Sequence, residues 1–144
     1  MLEEQFQDFL GRIDSLTPEH RPVFGKMNVH QMICHCTDQL RLAFGTLKPD
    51  EDYIKIDPKK VKALALSKKT VPTPKGLGQA EGGGTRPTTF DNDKALLKSY
   101  LEEFVNLLED FDFAPHPYFG AFDKRRWTNL TVYHLNHHLS QFNA

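Results

Sequence analysis

The chain has 144 residues, 39% of them hydrophobic and 26% charged, with a formal net charge of −1. That is enough for one domain with a sizeable core and too little for two of ordinary size; the near-neutral balance argues against nucleic acid as the main partner, which calls for a clear positive excess. No apolar run is long enough to span a bilayer, and the acidic, amphipathic start from Met1 to Asp8 is unlike a secretory signal, so a cytoplasmic protein is expected.

Residues 1–144 read as a single all-α domain. A first helix is predicted over 2–16, where Leu2, Phe6, Phe9, Leu10, Ile13 and Leu16 recur at helical spacing. The run from Thr17 to Pro22 breaks it. A second helix is predicted over 28–45. Asn28 is its N-cap, Gln31 stands at the capping-box position and Gly45 closes it. Its apolar face is Val29, Met32, Ile33, Cys36, Leu40, Ala43 and Phe44.

Residues 46–90 carry Lys, Pro, Gly and Thr with little periodicity. A short helix is expected near the middle, with Asp57 as N-cap, Pro58 in the first turn and Val61 to Leu66 following. So long an irregular stretch is either functional or mobile; it is expected to cover or border the site and set substrate choice, with a surface loop packed away from the site as the alternative. A third long helix is predicted over 92–109, capped by Asp91, with Leu97, Leu101, Phe104, Val105 and Leu108 as its stripe. An aromatic, proline-rich connection from Asp110 to Gly120 leads to a fourth long helix over 123–142, capped by Asp123. Four amphipathic helices and one long irregular crossover between the second and third make a four-helix bundle.

Cys34 and Cys36 are the only cysteines. Two residues apart on a helix, they point in nearly opposite directions and cannot easily pair or chelate together. Cys36 reads as a small core residue, Cys34 points the other way, and neither reads as a nucleophile.

The chemistry lies in the histidines. His134 and His138 are four apart on the last helix, hence one above the other. At about 100° per residue they share a side with Trp127, Leu130, Thr131, Leu135 and Phe142. Imidazoles inside an apolar stripe need partners, and a metal ion can satisfy both at once. A catalytic ion usually has three protein ligands. His30 and His35 are the candidates for the third, and they point about 140° apart. His35 borders the apolar face and is the choice; a core-edge histidine bonded to a backbone carbonyl is the alternative.

The segment Met32-Ile-Cys-His35 early in one helix, followed by His134-Leu-Asn-His-His138-Leu-Ser-Gln141 in the last, resembles the pattern of the DinB/YfiT-like superfamily. The blocks Lys26–His35, His116–Gly120 and Trp127–Phe142 are most similar to a branch of it without an assigned activity. The resemblance covers both ends of the chain and skips residues 46–90. It implies a four-helix bundle with a divalent metal held by one histidine of the second helix and an H-x-x-x-H pair of the last: here His35, His134 and His138. Known activities in the superfamily include thiol-dependent transferases and isomerases.

His137 reads as a helix-edge residue. His116, bracketed by prolines, is a candidate catalytic proton donor or acceptor at the pocket rim, with loop packing as the alternative. Gln39 and Gln141 could each hydrogen-bond a ligand or a bound water. Three neutral histidines leave an ion's charge uncompensated and a position free, the pattern of a catalytic site. Zn²⁺ or Ni²⁺ is the expected occupant, since imidazole suits both. The expected function is a metal-dependent thiol S-transferase or hydrolase acting on a small molecule. A non-enzymatic bundle working through dimerisation or partner binding is the alternative. No acidic residue falls clearly on the metal side of the second or fourth helix, so no general base is named.

Overall fold

The computed structural model describes residues 1–49, 59, 60, 63, 73, 74 and 76–144. Among them four α-helices pack on one another: α1 (Glu3–Ser15), α2 (Val29–Phe44), α3 (Phe90–Val105) and α4 (Lys124–Ser140). No β-strand is present among the described residues, only an isolated bridge between His116 and Gly120. None of the helices is long and apolar enough to cross a membrane. The bundle is the architecture that the four hydrophobic stripes predict. Its core joins Phe9 and Ile13 of α1, Met32, Ile33, Cys36 and Leu40 of α2, Leu97, Leu101 and Phe104 of α3, and Trp127, Leu135 and Leu139 of α4.

Local chemistry sets the helix starts. The Asn28 side chain accepts from the Gln31 N–H at 2.8 Å, and the Gln31 side chain accepts from the Asn28 N–H at 2.9 Å. That reciprocal pair begins α2 where the sequence places it. Asp123 caps α4 through the Arg126 N–H at 2.9 Å. The third helix differs from expectation at both ends. Its cap is Thr89, whose hydroxyl accepts from the Asn92 N–H, so it starts at Phe90 and Asp91 falls in the first turn. Thr and Asp are both good caps; the choice follows from Thr88, which is tied by backbone and hydroxyl to Asp93 and brings Thr89 to the helix start. At the other end α3 stops at Val105, where the Lys124 ammonium donates to the carbonyls of Val105 and Leu107. Leu108, expected in the stripe, is exposed.

Helix α2 is central. It packs on α3, α4 and the 3-10 turn Gln79–Glu81, and its buried residues include Cys34, Thr37, Asp38 and Gln39 as well as the apolar face. Cys34 therefore points away from Cys36, as the spacing requires, yet is buried too.

Asp38 is the anchor of the long crossover. Its carboxylate accepts from the Thr85 N–H at 2.9 Å, the Thr85 hydroxyl at 2.6 Å and the Gln79 amide at 3.1 Å. Gly84 lies so close to this carboxylate that a side chain there would collide with it. The short helix expected over 57–66 falls largely outside the described residues. The described part of the crossover donates hydrogen bonds to Asp38 and Asp93 and accepts them from Gln31 and Arg41, and among the described residues none of its hydrogen bonds reaches His35, His134 or His138.

Asp38→Ala is expected to strand the donors of half-buried Thr85 and buried Gln79 and to cost about 1–3 kcal/mol, the usual penalty for a buried group left unsatisfied. Chemical denaturation of the variant against the parent measures the loss, and limited proteolysis should show cleavage moving into residues 76–88.

Candidate metal centre

The structure brings His35, His134 and His138 together. One ring nitrogen from each lies within 4.8 Å of the others. His35 Nε2 and His134 Nε2 are 3.0 Å apart, and the ring centroids stand 4.8 Å (35–134), 4.5 Å (35–138) and 4.4 Å (134–138) from one another. The pair on α4 follows from the four-residue spacing. The third ring comes from the face of α2 that α4 covers.

The orientation of His138 is fixed from outside. Its Nδ1 bonds the Gln141 Oε1 at 2.8 Å, which makes Nδ1 the donor and leaves Nε2 as a bare acceptor. A metal-ligating histidine commonly donates its other ring N–H to a carbonyl in this way. Gln141 is itself held: its carbonyl accepts from the Val23 N–H at 2.7 Å, and its amide nitrogen lies 2.6 Å from where a Cβ on Gly25 would be. Gly25 also has φ of +85°, a conformation that favours glycine. Gln39 pairs with α4, accepting from the Thr131 hydroxyl at 3.3 Å, while its Nε2 is buried without a partner among the described residues.

All three rings are held neutral. Burial lowers the pKa of His35 to about 4 and that of His138 to about 3. Burial lowers His134 well below its ordinary value, helped by the neighbouring imidazoles. Among the described residues none of the three has a carboxylate as a hydrogen-bond partner. Three neutral nitrogens therefore face one another, with two of them as close as nitrogens sharing one ion about 2.0–2.1 Å away would be. Among the described residues His134 Nδ1 is buried and unpartnered, and the ring's other nitrogen meets another imidazole. The donor set fits a divalent transition metal.

The other sequence candidates are placed as follows. The His116 ring stacks on Phe122 at 5.1 Å and lies against Phe119 and Trp127. Its Nδ1 accepts from the Tyr118 and Phe119 N–H groups at 3.0 and 3.2 Å, and burial lowers its pKa to about 4. It organises the loop before α4 and, among the described residues, makes no hydrogen bond or ring contact with the three histidines, acting on them only through its charge, which opposes protonation of His134. His137 is exposed, edge-on to Phe24 at 5.6 Å and stacked on Tyr133 at 6.3 Å. His30 turns away from the centre and bonds Asp93 at 2.6 Å. Burial, reinforced by Asp93 and Asp38, pushes the Cys34 thiol up to about 12, and burial raises that of Cys36 as well. Both stay protonated, in keeping with the expectation that neither is a nucleophile. The His30–Asp93 pair was not legible in the sequence: its members are 63 residues apart, and an acid in a helix's first turns has an ordinary explanation in the helix dipole.

A family model of the DinB superfamily matches residues 1–142. The chain belongs to the DinB superfamily. Comparison with curated proteins and with solved structures gives no match. Membership accounts for both ends of the bundle, including the α2 and α4 segments that carry the three histidines, and it supports metal binding as the general property to test.

Two outcomes follow from this geometry. Histidines whose folded pKa is depressed bind fewer protons folded than unfolded. The metal-free protein is therefore expected to hold its stability above about pH 6.5 and to lose it progressively as pH falls toward about 4. Urea titrations of chelator-treated protein across that window check the sign. Gly25→Ala, which strains the backbone and displaces Gln141, should weaken metal binding by roughly 10–100-fold, the range seen when the outer partner of a ligand is lost; competition with a chromogenic chelator measures it.

Proposed function

We propose that this DinB-superfamily protein is a metal-dependent enzyme, with His35, His134 and His138 holding Zn²⁺ or Ni²⁺ and with transfer of a low-molecular-weight thiol to a small electrophilic substrate as its reaction. Hydrolysis is the second option. The observation that carries the reading is the convergence of three neutral imidazoles with no carboxylate among their hydrogen-bond partners in the described residues. An ion held only by neutral donors keeps its full charge and a free position, and so supplies Lewis-acid activation of a thiol or water.

The chain's own residues supply the rest. Gln141 holds His138 in the tautomer that presents Nε2 inward. Burial keeps His35 uncharged, so protons do not compete for its nitrogen near neutral pH. Gln39, one turn along α2 from His35 and with a buried amide nitrogen unpartnered, is the donor available to a polar group of the substrate. Phe24, Tyr133 and the exposed His137 form an aromatic group beside His138, suited to the apolar part of an electrophile. Among the described residues no carboxylate bonds the three histidines, which favours a thiol over water, because a thiol ionises near pH 8.5 and water near 15.7. The reading places the protein in the cytoplasm, with a small-molecule substrate and no nucleic-acid or membrane partner.

Zn²⁺- or Ni²⁺-loaded protein is expected to accelerate conjugation of glutathione, cysteine or 2-mercaptoethanol to 1-chloro-2,4-dinitrobenzene, followed by absorbance. Chelation and His134→Ala should each return the rate to the uncatalysed level. No acceleration with any of these thiols, together with no ion retained at micromolar concentration, would sink the proposal and leave a bundle that works by association alone.

A further inference from the structure

A second set of metal-ligating atoms lies on the other flank of α2. His30 and Cys34 are four apart on that helix, and Asp93 reaches them from the first turns of α3. One ligand atom from each lies within 4.8 Å of the others. His30 Nε2 is 2.6 Å from Asp93 Oδ2, and the Cys34 sulfur is 3.7 Å from the same oxygen. The plan repeats that of the three-histidine centre: a pair at i and i+4 on one helix, and a third donor from the helix packed against it. Because Cys34 and His35 are consecutive, α2 presents one ligand set toward α4 and the other toward α3, about 100° around its axis.

We propose that His30, Cys34 and Asp93 form a second divalent-cation site, of mixed sulfur, nitrogen and oxygen donors, that takes a borderline ion such as Zn²⁺ or Co²⁺ and clasps the start of α2 to the start of α3.

Several features fit the set to such an ion. Thiolate, imidazole and carboxylate are each ordinary zinc ligands. Together they carry two negative charges, which neutralise a divalent ion at a buried position, where the three-histidine set carries none. The carboxylate is aimed by an outer partner: Thr88 donates its N–H to Oδ2 at 2.7 Å and its hydroxyl to Oδ1 at 2.8 Å. Burial opposes the charge on Asp93, but the bonds from Thr88 and His30 outweigh it and hold the carboxyl below its ordinary range, so the ligand is already ionised. Cys34 and Asp93 are buried, while the His30 side chain is 23% exposed and gives the ion its way in.

The proton balance is simple. Binding breaks the Cys34 S–H bond and forms a sulfur–metal bond, and the proton leaves to buffer. A neutral His30 ring moves its proton from Nε2 to Nδ1 and gives up its hydrogen bond to Asp93. No electron is transferred.

Without an ion the same residues make a plain hydrogen-bonded tie, and experiment can separate the two. Co²⁺ is the probe, because thiolate coordination gives a near-ultraviolet charge-transfer band that imidazole and carboxylate do not. The full-length His138→Ala protein, with the three-histidine centre disabled, is titrated with Co²⁺. The expected result is a sulfur-to-cobalt band that saturates at one equivalent. It should be absent in His138→Ala/Cys34→Ser and retained in His138→Ala/Cys36→Ala, which excludes the other thiol. If the Cys34 variant does not fold, as judged by circular dichroism, His138→Ala/Asp93→Asn serves in its place, with saturation expected to be lost. No band in His138→Ala under excess Co²⁺, or a band that survives Cys34→Ser, would overturn the proposal. Neither outcome bears on whether the three-histidine centre is catalytic, since that centre is absent from every protein titrated.

Discussion

Helix α2 is enclosed on nearly all sides, and much of the molecule follows from that. A helix with one wet face can leave its polar side chains to water. Here Thr37, Asp38 and Gln39 are buried and His35 nearly so, and a buried polar group without a partner is costly. Each therefore finds a partner within the protein. Thr37 bonds back to the Ile33 carbonyl. Asp38 gathers Thr85 and Gln79, Gln39 takes Thr131, and His35 meets His134. On the flank toward α3, His30 and Cys34 converge on Asp93. The polar residues of one helix fix where the crossover docks, how α3 begins and where the imidazoles meet.

The chemistry of the centre rests on the same enclosure. Desolvation disfavours the imidazolium form, so each ring keeps a lone pair available where in water it would be partly protonated near pH 6.5. The buried carboxylates among the described residues, Asp38 and Asp93, are committed to other donors, and neither bonds the three rings. An ion bound there would remain a strong electrophile. That suits activation of a nucleophile better than structural bracing.

The parts legible in the sequence are those with short-range physical causes. The capping pair Asn28 and Gln31, the cap Asp123 and the four-residue spacing of His134 and His138 are local, and the structure places them as the sequence predicts. The angle between His30 and His35 on α2 ruled out both reaching one ion, and the position of His35 at the border of the apolar face chose between them. The start of α3 was misjudged because two adequate caps, Thr89 and Asp91, stand two residues apart, and a contact from Thr88 to Asp93 decides between them. Leu108 fits the stripe by periodicity, but α3 ends before it, at carbonyls that Lys124 of another helix bonds. The roles of Gln141 and Gly25 depend on a loop more than 110 residues away along the chain lying against the last turn. No pattern in a single sequence announces that.

The two attachments of the crossover have a bearing on how such a protein can diversify. Its departing end is pinned where the Thr46 N–H bonds the Arg41 carbonyl, and its returning end where Thr85 bonds Asp38. The two anchors are three residues apart on one rigid helix. A segment whose ends are fixed side by side can lengthen, shorten or change composition with little effect on the bundle, since each doubling of a flexible loop adds only about 0.6 kcal/mol of closure cost. Both attachments are made by α2 itself, so a change of sequence between them leaves the two anchors, at Thr46 and Thr85, in place.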